Sequence, residues 1–316
     1  MPQMRARSHC VHFQEYTPHA MKSDRSSWTA SWVAACRSLG ALLPPDAQLV
    51  NDPYGLSFAS GSVQRLGRWM LAAPRIGGRL LPYTGPLAAS VAWMQLRTRA
   101  IDDDVRRFAA EGGTQFVLLG AGFDARAHRL RDVVGEGRVF EVDHPATQSR
   151  KRAALREHGV DDSHVRYVSW NFESRAMDEM PAALERDGLD VARPVHTIWE
   201  GVTMYLTEQT IEATVDAIGR WSCAGSRLAL TYFDLARIEG EGPWGRVSRR
   251  FVRWVGEPFT FGWRPDDVGP WFAKRGFDVD SNSDGFTLAR TMLPAEYVRY
   301  FRPHRGFVAT AKRSAR

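Results

Sequence analysis

Five short apolar runs alternate with amphipathic stretches between residues 116 and 232 of this 316-residue chain. Each run is almost wholly apolar, which is typical of strands buried on both faces of a parallel sheet. Strands that alternate with helices predict an α/β fold with a doubly wound, Rossmann-like sheet. The runs are Phe116 to Leu119, Val139 to Val142, Val165 to Val168, Val195 to Trp199 and Leu228 to Phe233.

Helix and strand boundaries are predicted further along the chain as well. Thr207 is placed to cap one helix, and a second helix is predicted to begin at Pro265 and to stop at Gly276. Two later apolar runs predict an antiparallel hairpin at the edge of the sheet: Phe277 to Val279 and Phe307 to Ala311.

The first third of the chain differs from the rest because it contains helical pieces and no convincing strand. We therefore expect a helical cap over residues 1–110 and a core over residues 111–316, with an insertion near 234–263. Both the cap and the insertion are rich in aromatic residues, which predicts either a cavity for a hydrophobic molecule or ordinary core packing. These residues are Trp28, Trp32, Trp69 and Trp93 in the first, and Trp244, Phe251, Trp254, Phe259, Phe261 and Trp263 in the second.

The first buried run ends in the glycine loop Gly120-Ala121-Gly122. A strand that runs into Gly-x-Gly lets the backbone approach a bound cofactor at the carboxyl edge of the sheet. With Ala125 the loop also satisfies the pattern G-x-G-x-x-A, so a nicotinamide oxidoreductase is one interpretation.

The second run is followed by Asp143, about twenty residues beyond the glycine loop. A carboxylate at this place is expected to accept hydrogen bonds from both ribose hydroxyls of an adenosine. The alternative is an aspartate that only marks the entry to a helix ahead of Pro145.

The charges expected around the pocket distinguish two candidate cofactors, a nicotinamide dinucleotide and S-adenosylmethionine. A pyrophosphate requires N–H donors rather than carboxylates, whereas S-adenosylmethionine brings a cationic sulfonium and no phosphate. Four carboxylates are expected at strand ends on the ligand-binding edge, which favours the cation: Asp124, Glu141, Asp143 and Glu200.

Residues from about 97 to 210 resemble the leucine carboxyl methyltransferase family, which includes bacterial O-methyltransferases of polyketide-like small molecules. Asn51-Asp52-Pro53-Tyr54 is loosely similar to a further family segment. The resemblance implies a class I S-adenosylmethionine-dependent methyltransferase with an N-terminal helical cap over the acceptor site. The matching pieces are Arg97-Thr-Arg99-Ala-Ile-Asp102-Asp103, Leu118-Leu-Gly120-Ala-Gly122-Phe-Asp124-Ala-Arg126, Phe140-Glu141-Val-Asp143 and Trp199-Glu200-Gly201-Val-Thr-Met204-Tyr205-Leu206.

The resemblance also implies roles for individual residues of the cofactor site. Arg97 would pair with the methionine carboxylate, Gly120 and Gly122 would line the cofactor, Asp143 would hold the ribose, and Glu200 would lie beside the methionine or ribose portion. A guanidinium matches a carboxylate bidentately, which agrees with the role of Arg97. Arg99 competes for it, because the sequence does not say which arginine points inward.

One position departs from the family. Where the family usually has Asp-Leu after the third strand, this chain has Asn171-Phe172. Asparagine keeps an acceptor oxygen and adds a donor that could meet a ring nitrogen, so adenine recognition is compatible with it. Phe172 would add apolar contact with the base.

These observations predict an O-methyltransferase that transfers a methyl group from S-adenosylmethionine to a carboxylate or hydroxyl of a small organic metabolite, releasing S-adenosylhomocysteine. A hydroxyl acceptor needs a general base, for which His144 and Tyr205 are candidates, whereas a carboxylate needs none. The alternatives are a protein C-terminal carboxyl methyltransferase, an NAD-dependent oxidoreductase and a cofactor-binding protein without catalysis. We expect no metal.

Composition bears on partners and location. The net charge is +6, but 38 of the 42 basic residues are arginines spread along the chain, so we expect no nucleic-acid partner. Three cysteines without a CxxC motif predict a reducing, cytoplasmic environment. No run approaches the ~18 apolar residues of a membrane span, so we expect no membrane partner. The oligomeric state is not predicted.

Overall fold

A computed structural model of the chain describes residues 28–172, 174–239 and 259–315. Its centre is a seven-stranded sheet. The strands are β1 (Gln115–Leu119), β2 (Arg138–Asp143), β3 (Val165–Ser169), β4 (His196–Trp199), β5 (Arg227–Phe233), β6 (Phe277–Asp284) and β7 (Gly306–Arg313). Their order in the sheet is β3-β2-β1-β4-β5-β7-β6. Strands β1 to β5 pair in parallel, and β7 runs antiparallel to both β5 and β6. The predicted doubly wound sheet and all five predicted parallel strands are confirmed.

Helices cover both faces of this sheet and precede it. The long helix α4 (Pro86–Ala110) packs on one face, with Phe108 in a core cluster shared with Phe116 and Ile198. A second cluster, which includes Trp221 and Phe272, fills the other face. The helices are α1 (Trp28–Leu39), α2 (Gly61–Ala72), α3 (Pro74–Leu80), α4 (Pro86–Ala110), α5 (Arg126–Arg129), α6 (Arg131–Val134), α7 (Pro145–Glu157), α8 (Met180–Arg186), α9 (Glu208–Trp221), α10 (Leu235–Glu239), α11 (Pro265–Ala273), α12 (Gly285–Met292) and α13 (Ala295–Val298).

The predicted cap at Thr207 and the predicted start at Pro265 are confirmed. Thr207 accepts a hydrogen bond from the amide of Thr210 and caps α9. Helix α11 begins at Pro265 but ends at Ala273, before the predicted stop at Gly276, which has a φ of +77° that glycine adopts without steric cost.

The antiparallel edge pair is also confirmed, although its form differs from a hairpin. Strands β6 and β7 pair from Phe277 to Asp284, and the connection between them carries α12 and α13 rather than a tight turn. β6 is the outermost strand and continues beyond its apolar start through polar residues. Edge strands often carry such residues, which is why apolar periodicity underestimates its length.

A buried polar network ties α4 to the start of the sheet. Asp104 accepts from His196 Nε2 over 2.8 Å and from Arg227 Nη2 over 2.5 Å. Arg227 also pairs with Asp280 of β6 over 3.0 Å. His196 and Arg227 are the first residues of β4 and β5, so this network lies at the amino ends of the parallel strands.

Residues 28–110 form helices α1 to α4 in the structure, and the division into a cap over 1–110 and a core over 111–316 stays a prediction. Most of the predicted insertion near 234–263, with Trp244, Phe251 and Trp254, lies outside the described residues. Among the described helices, none combines the length and apolar character needed to cross a bilayer.

Candidate cofactor site

The glycine loop follows β1 at the carboxyl edge of the parallel strands. Gly120 and Gly122 have φ values of +68° and +49°, which disfavour residues with a side chain. A Cβ on Gly120 would lie 2.7 Å from Cγ2 of Val202. Glycine is therefore required at position 120 by both conformation and space.

Asp143 lies beside this loop, as the sequence predicts. Its Oδ2 accepts from the backbone amide of Gly122 over 2.6 Å, and its Oδ1 accepts from the amide of His144 over 2.7 Å. Burial raises the pKa of Asp143, and these two backbone hydrogen bonds oppose that rise. A carboxylate offers about four acceptor positions, so both oxygens can accept a further hydrogen bond.

Arg97 and Glu200 meet at the same edge. Arg97 Nε donates to Glu200 Oε1 over 2.7 Å, and both side chains are buried. The two Nη groups of Arg97 are not used in that bond, and a Cβ on Gly201 would lie 3.6 Å from one of them. The side chain of Arg99 is 41% exposed and pairs with Asp103 on the outside of α4. Arg97, and not Arg99, is therefore the arginine that faces Glu200.

Arg126 completes the cluster and was not assigned a role from the sequence, although it lies within one of the family motifs. Its guanidinium donates to Asp102 over 2.6 Å, to Glu200 over 2.9 Å and also to Asp124. Burial alone would raise the pKa of Glu200, but Arg97 and Arg126 outweigh it and lower that pKa. Glu200 is consequently held ionised between two arginines.

Arg37 of α1 is a second residue that sequence reasoning missed. It donates from Nε to Asp52 over 2.9 Å and from Nη2 to the carbonyl of Phe123 over 2.6 Å. Asp52 is 2% exposed and also accepts from the amides of Tyr54 and Gly55. The loosely matching Asn51-Asp52-Pro53-Tyr54 segment therefore fixes α1 against the glycine loop. The only signal for this in the sequence is that segment itself.

The expectation that Glu141 faces the ligand edge is wrong. Glu141 is fully buried inside the sheet and pairs with Lys151 over 2.6 Å. Burial raises the pKa of Glu141 to about 7, while Lys151 lowers it. Asp124 and Glu200 are likewise paired with buried arginines. An excess of carboxylates is thus not what favours a cationic ligand here, because sequence periodicity does not reveal buried partners from other elements.

Asn171 and Phe172 lie next to Asp143, since the amide of Trp170 donates to the Asp143 carbonyl over 2.9 Å. The Asn171 carbonyl accepts from the amide of Arg175, and the Arg175 guanidinium stacks 3.6 Å from the ring centroid of the buried Trp170. Phe172 is 37% exposed. The structure therefore brings these two residues to the same edge as the glycine loop.

The two candidate bases are placed differently. His144 Nδ1 accepts from the amide of Ala146 and caps α7, which engages one ring nitrogen in a structural role. The ring of Tyr205 lies 5.6 Å from that of Phe259, which stacks 4.8 Å from Phe233 at the end of β5.

The aromatic residues predicted for the cap and for the insertion near 234–263 also differ in where they lie. Phe261 and Trp263 pack against each other, with ring centroids 4.7 Å apart. Trp69 is 52% exposed on the outside of α2, and Trp93 lies against Gly285 and Gly306. Tyr205, Phe233 and Phe259 therefore form an aromatic wall at the carboxyl end of β5. Trp93 lies next to Phe233 of this wall, because a Cβ on Gly306 would contact both rings, whereas Trp69 is exposed.

The described parts of the chain hold no group of three or more His, Cys, Asp or Glu side chains suited to a metal ion.

Comparison with known proteins identifies the family of this chain. Residues 30–219 match the sequence model of the leucine carboxyl methyltransferase family. The chain belongs to this family. The resemblance drawn from the four sequence motifs is confirmed.

Relatives of the family agree with this assignment. A “putative S-adenosyl-L-methionine-dependent methyltransferase” of Streptomyces avermitilis is 35% identical over 81% of this chain and 84% of the relative. A Streptomyces coelicolor relative with the same description is 31% identical over the same shares.

Solved structures confirm the class I methyltransferase fold. The crystal structure of a “putative methyltransferase” from Thermobifida fusca covers 89% of this chain and 94% of its own, with a TM-score of 0.54 and 19% identity. That of a DUF574 family protein from Streptomyces avermitilis covers 92% and 99%, with a TM-score of 0.56 and 17% identity.

Proposed function

We propose that this chain is an S-adenosylmethionine-dependent O-methyltransferase that acts on a carboxylate or hydroxyl of a small organic metabolite. Its family and its relatives make it a methyltransferase that uses S-adenosylmethionine. One observation carries the site assignment: the glycine loop, Asp143 and the Arg97–Glu200 pair lie together at the carboxyl ends of β1, β2 and β4. Ligands of doubly wound folds bind at this edge.

The residues at this edge fit the cofactor. The positive-φ glycines let backbone approach a ligand closely, and Asp143 has acceptor capacity left for ribose hydroxyls. The Nη groups of Arg97 suit the methionine carboxylate. Asn171 and Phe172 would contact the adenine. The cofactor supplies an electrophilic methyl group on a cationic sulfur.

The work of the protein is then mainly one of positioning. Holding two reacting atoms near 3 Å in line contributes about 7–11 kcal/mol of barrier reduction. Arg126 and Arg97 fix the Glu200 carboxylate from two sides, and Arg37 anchors α1 to the glycine loop. These contacts keep the site rigid before either substrate binds, which preserves the alignment that the reaction requires.

The acceptor would bind beside the aromatic wall of Tyr205, Phe233 and Phe259. A carboxylate acceptor is ionised at neutral pH and needs no base. A hydroxyl acceptor would require His144 Nε2 or the Tyr205 hydroxyl within hydrogen-bond reach. The description of the family by a carboxyl acceptor favours the carboxylate and also keeps a protein carboxyl terminus as a second candidate.

Turnover tests this proposal against its alternatives. Labelled S-adenosylmethionine is incubated with the full-length enzyme and a panel of aromatic acids, phenols and peptides ending in leucine. Label in a small acid or phenol, lost in Asp143→Ala, supports the proposal. Label in the peptides alone would indicate that the acceptor is a protein carboxyl terminus. No label in any member of the panel, despite cofactor binding, would favour a cofactor-binding protein without catalysis. The proposal places this activity in the cytoplasm, as the cysteine pattern predicts.

A further inference from the structure

Five of the six large apolar side chains found most exposed in the described residues lie in one short stretch, residues 66–83. They are Leu66, Trp69, Ile76, Leu80 and Tyr83, with exposed fractions between 46% and 89%. Monomeric proteins seldom concentrate apolar side chains on the surface in this way unless the surface has a partner.

Arginines accompany these side chains in a regular order. Helix α2 exposes the pairs Arg65-Leu66 and Arg68-Trp69, and α3 exposes Arg75-Ile76 and Arg79-Leu80. No Asp or Glu occurs between Asp52 and Asp102. Within the described part of the chain, none of these four arginines forms an ion pair. We call the surface made by the four pairs the Arg-apolar face.

Glycines lie on the inner side of the same two helices. A Cβ would lie 2.5 Å from Leu56 Cδ2 on Gly67 and 2.8 Å from the Leu42 carbonyl oxygen on Gly78, and on Gly77 it would lie 2.7 Å from the carbonyl oxygen of Met70 in α2. A surface helix ordinarily buries its large apolar residues and exposes polar ones. Helix α2 does bury Met70, but both helices also carry large apolar residues and positive charge on the outer side.

We propose that the Arg-apolar face binds the surface of an anionic lipid bilayer. Helices with basic residues and Trp or Leu on the exposed side lie in the interfacial plane, where the apolar groups enter the acyl boundary and the cations meet phosphates. Trp69 and Tyr83 are residue types enriched at that depth. The planar guanidinium of arginine suits phosphate oxygens better than an ammonium does. Such association needs no membrane-spanning run, and so it departs from the expectation of no membrane partner.

Charge argues against other occupants. Two longer stretches lie outside the described residues, one N-terminal and one internal, and each could be considered as an occupant of this face. Each has a net positive charge, with four basic and two acidic residues. These are Arg5, Arg7, Lys22 and Arg25 against Glu15 and Asp24 in residues 1–27, and Arg246, Arg249, Arg250 and Arg253 against Glu241 and Glu257 in residues 240–258. A second copy bound through the same face in a symmetric dimer would bring arginines against arginines. The Arg-apolar face is therefore best matched by a partner that has a negatively charged surface over an apolar interior, as an anionic bilayer has.

Vesicle sedimentation with the full-length protein tests the proposal. We expect it to sediment with vesicles of equal parts phosphatidylcholine and phosphatidylglycerol, and not with phosphatidylcholine alone. Each arginine near such a surface contributes about fivefold in affinity, so R68Q/R75Q/R79Q is expected to weaken binding roughly a hundredfold. The apolar variant W69S/I76S should weaken it as well. The control R156Q/R186Q/R305Q removes three exposed arginines elsewhere and should bind like the unmodified protein.

Three results would overturn the proposal. The first is no sedimentation with the anionic vesicles. The second is equal binding by R68Q/R75Q/R79Q and the control, which would show that net charge rather than this face is responsible. The third is binding to polyglutamate through the same arginines without binding to vesicles, which would assign the face to an acidic protein. Circular dichroism of each variant verifies that all are folded. None of these residues belongs to the cofactor site, so methyl transfer to a soluble acceptor is measured independently.

Discussion

Asp143 at the end of β2 accepts a hydrogen bond over 2.6 Å from the backbone amide of Gly122 in the loop after β1. The bond joins the residue proposed to hold the ribose to the loop proposed to line the cofactor. It also means that substitution of Asp143 acts on both ligand binding and loop conformation.

Asp143→Asn removes the charge that strengthens bonds to two ribose hydroxyls and keeps one acceptor oxygen. That oxygen can still accept from Gly122, whereas the amide nitrogen that replaces the other oxygen cannot accept from His144. Because hydrogen bonds to a charged group contribute about 1.5–3 kcal/mol each, we expect affinity for S-adenosylhomocysteine to fall roughly a hundredfold or more. Calorimetry measures this, with the exposed Asp187→Asn as the control. Unchanged affinity in Asp143→Asn would remove Asp143 from the site.

Arg97 and Arg99 provide a matched pair on one helix. Arg97→Gln should weaken cofactor binding at least about tenfold, because one charge-assisted bond contributes about 1.5–3 kcal/mol. Arg99→Gln should leave binding unchanged, since Arg99 pairs with Asp103 at the surface. Arg97→Lys keeps the charge but not the bidentate geometry and should also bind weakly. Equal affinities for the Arg97 and Arg99 variants, with both folded, would contradict the assignment.

His128 makes stability depend on pH. It is buried with both ring nitrogens lacking a described partner, and burial lowers its pKa to about 4. In the unfolded chain His128 takes up a proton near pH 6.5, whereas in the folded protein it does so only near pH 4. Protonation therefore favours the unfolded chain, and the free energy of unfolding falls as the pH is lowered from 6.5 toward 4. The loss amounts to roughly 3 kcal/mol.

Urea unfolding at a series of pH values measures this loss. The raised pKa of Glu141 acts in the opposite direction over much of this interval, so the variant is compared with the unmodified protein at each pH. The free energy of unfolding of His128→Phe, which does not titrate, should rise by roughly 3 kcal/mol relative to that of the unmodified protein as the pH falls from 6.5 to 4. A difference between the two proteins that stays constant over this interval would contradict the role of His128.

The buried network of Asp104, His196 and Arg227 lies at the amino ends of the strands, away from the proposed cofactor site. We expect its disruption to lower the free energy of unfolding and to leave cofactor affinity unchanged. Asp104→Asn removes one of the two carboxylates that pair with the buried Arg227, the other being Asp280, and breaking a buried pair costs up to about 3–5 kcal/mol. Asp103→Asn, one position earlier and at the surface, should change stability by less than about 1 kcal/mol. Chemical denaturation compares the two. A loss of cofactor affinity in folded Asp104→Asn that exceeds that in Asp103→Asn would argue for a link between the two ends of the sheet.

The sequence was sufficient to predict the parallel strands and the position of Asp143 beside the glycine loop, because both depend on local patterns. Each of the runs that became β1 to β5 begins and ends in apolar residues, although only Phe116 to Leu119 is apolar throughout. Asp143 falls next to the glycine loop because parallel neighbouring strands end at one edge. The four motifs suggested the role proposed for Arg97, and the exposed position of Arg99 favours Arg97 over Arg99 for it.

The parts that could not be predicted depend on contacts between side chains of different elements. Lys151 lies only ten positions after Glu141, on α7, but the sequence pattern does not show that its ammonium turns inward to pair with Glu141. Arg126 joins Asp102 and Glu200 from two other elements, and Arg37 reaches Phe123 across 86 positions. The outward face of α2 and α3 was likewise hidden, because apolar residues at helical spacing ordinarily indicate a buried side.

Calorimetric titration of the unmodified protein with S-adenosylhomocysteine and, separately, with NAD tests the central claim most directly. We predict saturable binding of S-adenosylhomocysteine at one site per chain and no heat of binding with NAD. Saturable binding of NAD with no response to S-adenosylhomocysteine would contradict the account.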